Sequence, residues 1–321
     1  MAQFPDYVDV EYDAGEGESP DEYPTLEGKI EQAIDVTRRG LEEYEQPAVM
    51  WTGGKDSTLT LYFVTEVAAE FGFEVPPAIF IDHFQHFDEI HDFVDRWAEQ
   101  WGVDVHYASN DDIGAYVEEN ALDPGDEIPV EALDGHNRHH VREILEYEED
   151  TFPYLLDTYV GNHLLKTVAL NDALREYEID GVLSGVRWDE QEARAGETFF
   201  SPRHDPDTYP PHDRVHSILQ FAERDVWDAF WQYVVPETVP EFPEGHVPRS
   251  ATDLPAGLEW ADIPVSPKYV AGYRSLGSEV STDKTTDEPA WLQNLEGTTE
   301  RAGRAQDKED LMERLRDLGY M

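Results

Sequence analysis

The stretch Val49-Met50-Trp51-Thr52-Gly53-Gly54-Lys55-Asp56-Ser57-Thr58 decides how this chain folds: an apolar strand runs into a Gly-Gly turn, and Lys-Asp-Ser opens a helix. Two adjacent glycines let the backbone bend tightly and present bare N–H groups to a ligand. The helix N-terminus adds its positive dipole end and Lys55 adds a cation, so the turn suits a polyphosphate. It is not a Walker A loop, because Val49 and Asp56 stand where that motif has Gly and Ser or Thr. A Walker loop holds the β- and γ-phosphates for transfer of the γ group. This shorter turn is of the type that grips pyrophosphate as it leaves an α-phosphate.

Working outward, Ile30, Ala33, Ile34, Thr37 and Leu41 recur at helical spacing before the strand, and Leu59, Leu61, Val64 and Ala68 do so after the turn. Pro77–Asp82 reads as a second strand, apolar until its last residue, and a helix is expected from about Glu89 to Trp101. Val103–Tyr107 reads as a third strand, Gly161–Tyr177 as a helix, and Asp180–Gly185 as a fourth strand with its turn. Strands alternating with helices of this length predict an α/β fold: a parallel twisted sheet with helices on both faces. Ligands of such sheets bind beyond the carboxyl ends of the strands, where Thr52 to Ser57 and Asp82 lie. Past Gly185 the pattern frays. Residues 196–213 and 236–268, rich in Pro, Asp and His, read as long loops around one helix, Glu223–Tyr233, and a final helix is expected over Lys308–Leu318. The expected organisation is an acidic flexible leader (1–25), a nucleotide-binding α/β domain (26–235) and a loop-rich C-terminal extension (236–321) that is a candidate partner-binding region.

The 23 Lys and Arg against 71 Asp and Glu leave a net charge of −48 over 321 residues. Such a chain repels itself at low salt, whereas molar salt shortens the screening length to about 3 Å. The expected setting is therefore the cytosol of a salt-loving organism. Because the acids are spread along the whole chain rather than arranged as a nucleic-acid mimic, no nucleic-acid partner is expected. No apolar run approaches the roughly 18 residues of a membrane span, and Met1-Ala2-Gln3-Phe4-Pro5-Asp6 lacks the regions of a signal peptide. A soluble, cytoplasmic protein is expected, with no membrane partner. The absence of cysteine removes disulfides, Fe–S clusters, cysteine-ligated zinc and thiol nucleophiles.

Thr52-Gly53-Gly54-Lys55-Asp56-Ser57 resembles the Ser-Gly-Gly-Lys-Asp-Ser signature of the pyrophosphate-loop (PP-loop) ATP pyrophosphatases, with Thr52 for the first Ser. Three further islands narrow the resemblance to the branch holding phosphoadenosine-phosphosulfate (PAPS) reductases and the small subunit of two-subunit sulfate adenylyltransferase. Gly185-Val186-Arg187-Trp188-Asp189-Glu190 with Arg194 is similar to that branch's Gly-x-Arg-Arg-Asp-Glu … Ser-Arg, Trp188 replacing the second Arg. Arg214-Val215, then Glu223-Arg224-Asp225-Val226-Trp227, resembles its Arg-Val-x-Pro-Leu … Thr-Glu-x-Asp-Ile-Trp element, where the helix reads as structural and Arg214 as the ligand candidate. Arg274-Ser275-Leu276-Gly277-Ser278, Thr299-Glu300-Arg301-Ala302-Gly303-Arg304 and the closing Gly319-Tyr320 resemble the adenylyltransferase tail, with Ser278 at the family's cysteine. The reductases' Glu-Cys-Gly-Leu-His ending is absent.

The resemblance implies an adenine nucleotide alpha hydrolase-like, Rossmann-like fold and a haloarchaeal-type acidic member of this family. It implies a nucleotidyltransferase that attacks ATP at its α-phosphate with sulfate or a related oxyanion, releasing pyrophosphate, with ATP and Mg²⁺ as cofactors. Lys55, Arg187 and Arg194 are the implied catalytic residues. Thr52, Gly53, Gly54, Asp56, Ser57, Asp82, Gly185 and Arg214 are implied nucleotide or anion ligands, and Asp56 is the implied metal ligand. A heteromer with a GTPase large subunit is implied, with Thr298–Asp307 as the candidate contact. Two other readings stand beside this one: a PAPS or adenosine-phosphosulfate reductase, which the missing cysteine opposes, and a non-catalytic nucleotide-binding subunit. His136–Arg142, the most basic cluster, fits no zinc signature and reads as a solvated helix face. His83 and His86 receive no role.

Overall fold

Thr25 opens the first helix: its hydroxyl accepts the Gly28 amide at 3.1 Å, and α1 (Leu26–Glu43) buries Ala33, Val36 and Leu41. The computed structural model describes residues 4–205, 209–295 and 300. In chain order there follow β1 (Pro47–Met50), α2 (Lys55–Phe71), β2 (Ala78–Asp82), α3 (Asp88–Trp101), β3 (Val105–Ser109), α4 (Asp111–Asn120), β4 (Glu127–Pro129), α5 (Gly135–His139), β5 (Thr151–Pro153), α6 (Tyr159–Asn162), α7 (Ala169–Glu176), β6 (Gly181–Leu183), β7 (Phe200–Arg203), β8 (His212–Val215), α8 (Glu223–Ala229), α9 (Val235–Thr238) and α10 (Pro267–Val270). A π-helical stretch, His163–Val168, joins α6 to α7.

Six strands form one sheet in the order β3-β2-β1-β6-β8-β7, and β4 pairs with β5 apart from it. Neighbours run parallel except β7, which is antiparallel to β8. Side-chain alternation covers both faces. Val49 and Phe80 pack with Val36, Val64 and Val94 of α1 to α3, while Ala48 and Ile79 pack with Ala173 and Leu174 of α7. The chain builds from β1 out to β3 and then returns to the other side of β1 as β6. The strand order reverses between β1 and β6, the point at which a ligand crevice opens in such sheets.

The four strands read from the sequence are present, while β7 and β8 lie in the region read as loop. β8 reads His-Asp-Arg-Val and buries His212 and Asp213, so it carries no apolar signature. Its aspartate is satisfied in the fold: Asp213 accepts from Tyr12 at 3.0 Å and Tyr44 at 2.8 Å.

The acidic flexible leader is corrected by the contacts of residues 4–25. Phe4 stacks on His204 with centroids 3.8 Å apart, Tyr7 donates to Asp180, and Phe199 N–H donates to the Ala14 carbonyl at 3.0 Å. Val8, Val10 and Ala14 rest on the main core, so the leader is a strap across the β6–β8–β7 side. The extension is loop-rich over its described part, 236–295. It shares a core with α2 and α8, in which Leu59, Phe63, Trp231, Phe242 and Trp291 are buried together. The expected Lys308–Leu318 helix, and all of Thr298–Asp307 except Glu300, lie outside the described residues. Among the described residues no helix is long and apolar enough to cross a membrane.

The basic cluster, which spans α5 and the turn after it, is only partly solvated. His140 Nδ1 lies 2.9 Å from Nε2 of buried His163, and burial lowers both pKa values, to about 4 for His140 and about 3 for His163. Both are neutral when folded. Unfolding restores a value near 6.5, so their contribution is complete above pH 6.5 and is lost as pH falls toward the folded values. In molar KCl, which screens general repulsion, His163→Gln should show a shallower loss of unfolding free energy between pH 6.5 and 4, by up to about one proton per molecule. Denaturant titrations at several pH values measure this. An unchanged slope would contradict the assignment.

Candidate active site

The turn after β1 is organised by its own side chains. Ser57 Oγ donates to the Gly54 carbonyl at 3.1 Å and accepts the Thr52 amide at 3.2 Å. Gly53 holds φ +72°, and a Cβ there would meet Ile90 at 3.3 Å, so glycine is required at that position. Trp51, fully buried at the end of the strand, donates its indole N–H to Thr58 Oγ1 at 3.0 Å and ties β1 to the first turn of α2. The turn after β6 meets it directly. A Cβ on Gly185 would fall 2.6 Å from the Asp56 carbonyl carbon and 2.7 Å from the Ser57 nitrogen. Gly185→Ala should therefore push the start of α2 out of place, costing about 1–3 kcal/mol and weakening ATP binding; thermal melting and ATP titration check both.

A cavity of about 340 Å³ opens where these two turns meet. Thr52, Gly54, Lys55, Asp56, Ser57 and Gly185 line it, together with Arg194 and Arg214. The sequence-predicted turn, the glycine after β6 and two of the predicted arginines thus converge on one space. Met50, Ile81, Leu170 and Val182 supply apolar wall.

Lys55 is 2% exposed. Its Nζ lies 3.1 Å from Asp56 and also meets the Glu300 carboxylate. Burial alone lowers its pKa, but Asp56 and Glu300 overcome this and raise it above the ordinary range, so it remains a cation. Fully buried Arg187 touches three carboxylates: Asp56 at 3.1 Å, Asp189 at 3.4 Å and Glu300. Arg187 therefore sits with Lys55 at the turn after β1 and is not an open fork beside Arg194. Glu300, at 8% side-chain exposure, receives both cations at once. Sequence reasoning placed Glu300 in a partner contact; its separation of 245 residues from Lys55 gave no signal for this pairing.

A second basic group lies across the cavity. Glu197 is 3.3 Å from Arg194, 3.6 Å from Arg203 and 3.4 Å from His216. Arg214 has no ion pair among the described residues, and burial, with Arg203 and Arg194 nearby, pushes its pKa down to about 9. An arginine stays charged at that value, so the direction reports positive charge that the protein leaves poorly compensated. An oxyanion placed between Arg194 and Arg214 would repay it. The Arg203 and His212 contributions to this group were missed because both lie in the segment read as loop.

Asp82 stands at the end of β2 as expected but is not among the residues lining the cavity. Its carboxylate accepts the Phe84 amide at 2.9 Å and lies 3.6 Å from His91. His83 and His86, which carried no assignment, do line the cavity and stack with centroids 3.6 Å apart. Burial pushes Asp56 up to about 6, against the pull of Arg187 and Lys55. Among the described residues no group of three or more His, Asp or Glu is arranged to hold a metal ion. Asp56, engaged by two cations, does not fit the metal-ligand role expected of it.

The profile of the phosphoadenosine phosphosulfate reductase domain matches residues 46–127 and 136–241, more than half of the chain. The chain belongs to the phosphoadenosine phosphosulfate reductase domain family. Members similar to it include sulfate adenylyltransferase subunit 2 of Rhizobium meliloti, 26% identical over 240 residues that cover 68% of this chain and 67% of that one. Sulfate adenylyltransferase subunit 2 of Brucella anthropi is 24% identical over 328 residues, covering 90% and 94%. The crystal structure of Candida glabrata FMN adenylyltransferase superposes with a TM-score of 0.50 at 13% identity, covering 94% of this chain and 92% of that one. The mostly parallel sheet with its helices is an adenine nucleotide alpha hydrolase-like fold, shared with that adenylyltransferase structure.

Proposed function

We propose that this protein transfers the adenylyl group of ATP, delivered as its magnesium salt, to sulfate, giving adenosine 5′-phosphosulfate and pyrophosphate. The observation that carries this reading is the cradle at the β1–β6 reversal, where buried Lys55 and Arg187 together clasp an anion, the Glu300 carboxylate. In the reaction the β- and γ-phosphates take that seat. A sulfate oxygen held by Arg194 and Arg214 attacks the α-phosphorus, the bond to the bridging β oxygen breaks, and the electron pair leaves with pyrophosphate. Donors and cations aimed at the leaving group lower the barrier most where charge develops, and fixed positions convert the encounter into an intramolecular step. Reduction of a sulfonucleotide needs a thiolate, and the 321 residues hold no cysteine. The relatives' designation as subunit 2 supports a heteromer; in this reading the partner is the GTPase large subunit that the resemblance implies, in the cytoplasm of a salt-adapted cell.

Incubation in molar KCl with MgATP and sulfate, with and without the GTPase subunit, should give sulfate-dependent adenosine 5′-phosphosulfate. Sulfite released with a thiol donor would overturn the reading, and nucleotide binding without cleavage in both arms would favour a non-catalytic subunit. Because Glu300 competes for the phosphate seat, Glu300→Gln should lower the pyrophosphate dissociation constant by about tenfold, the equivalent of roughly 1.4 kcal/mol. Calorimetric titration reads this directly; weaker binding by the variant would show that Glu300 supports the ligand instead.

A further inference from the structure

Tyr269 reaches the phosphate turn from the C-terminal half of the chain. It sits in α10, is 2% exposed, and packs its ring edge-on against Trp227 with centroids 5.1 Å apart. Its hydroxyl oxygen accepts the Lys55 amide at 2.9 Å, the first N–H of α2. The hydroxyl lies close over Gly54, 3.5 Å from where a Cβ there would stand. The Lys55 ammonium lies 5.8 Å from the ring centroid. Having accepted from the amide, the hydroxyl keeps its own proton to donate, and among the described residues no acceptor receives it. The residue lines the same cavity as Gly54, Lys55 and Ser57.

We propose that the Tyr269 hydroxyl is a ligand of the leaving pyrophosphate, donating its hydrogen bond to a phosphate oxygen while it holds the Lys55 amide. This assignment rests on the adenylyl-transfer reading, since it needs the β- and γ-phosphates in the cradle. The relay has a clear chemical logic. A hydroxyl that accepts from the positive end of a helix becomes a stronger donor, and the phenol carries the influence of that amide outward to the phosphate. Burial, reinforced by Asp56 and Glu300, raises the phenol's pKa, so it is protonated and able to donate throughout the neutral range. The ring's fixed packing gives the donor one direction, where a flexible serine or lysine would need ordering.

The test is calorimetric titration of pyrophosphate, with AMP as a second ligand, into the full chain and its Tyr269→Phe and Lys55→Ala variants in molar KCl. Tyr269→Phe keeps the ring and should weaken pyrophosphate binding about tenfold or more while leaving AMP binding unchanged. Its kcat for adenylyl transfer should fall more than its KM for ATP rises. Pyrophosphate binding equal to the parent in a folded Tyr269→Phe variant overturns the proposal. If Lys55→Ala also leaves pyrophosphate binding unchanged, the phosphate-cradle reading itself fails, which separates the two failures. Should Tyr269→Phe not fold, 3-fluorotyrosine placed at position 269 reports instead: its fluorine resonance should shift on adding pyrophosphate and not on adding AMP, and an unmoved resonance overturns the proposal.

Discussion

Lys55→Ala should reduce adenylyl transfer at saturating ATP by about 10²–10³-fold, the loss seen when one preorganised donor to developing charge is removed. The expectation follows from its position. The ammonium is 2% exposed, is fixed at the first residue of α2, and meets Asp56 and Glu300 in the seat assigned to the leaving group. Removing it leaves three carboxylates, those of Asp56, Asp189 and Glu300, gathered around Arg187 alone. The variant should therefore form pyrophosphate slowly and bind it weakly. Steady-state rates beside thermal melting separate lost chemistry from lost fold; a stable variant with an unchanged rate would remove Lys55 from the reaction.

The second large effect is on stability. Arg274 and Glu223 form a buried pair, 3% and 5% exposed, joined by contacts of 2.6, 2.9 and 3.1 Å, and Arg274 also donates to the Leu295 carbonyl at 3.0 Å. Removing one partner strands a charge in the interior, so Arg274→Ala should cost about 3–5 kcal/mol of unfolding free energy. Replacing both partners with apolar residues of similar size should recover most of that loss, because the cost lies in the unpaired charge and not in the absent bridge. Denaturant midpoints of the two single variants and the double variant test this. A loss below about 1 kcal/mol in the single variant, the range of an exposed pair, would show that water reaches the site.

What the sequence disclosed depended on the kind of pattern each part of the molecule leaves in the chain. The Gly-Gly turn was legible because its meaning is local: strand, two glycines and helix fall within ten residues, and the structure places the turn at the reversal of strand order. The parallel sheet was legible because β1, β2 and their helices repeat apolar residues at regular periods. β8 was not, since three of its four residues are a histidine, an aspartate and an arginine, and the buried aspartate is held by distant tyrosines. The leader was misread as loose because single aromatic contacts, such as Phe4 on His204, have no period to detect. Lys55, Arg194 and Arg214, which line one cavity, were named from motif islands. Tyr269 and Glu300, which touch the cradle from 214 and 245 residues away, were not, because only the folded chain brings them there. Glu223 was read as structural, and its buried pairing with Arg274 gives that reading its physical content by joining the third and fourth motif islands.

The most direct test of the account is where ATP is cut. ATP carrying label on its γ-phosphorus, incubated with sulfate and the full chain together with the proposed GTPase subunit, should yield the label as pyrophosphate, with the α-phosphorus retained in adenosine 5′-phosphosulfate. Label recovered as orthophosphate beside ADP, in a reaction that depends on Lys55, would place bond breaking at the γ-phosphate and contradict the assignment of this turn as a pyrophosphate seat.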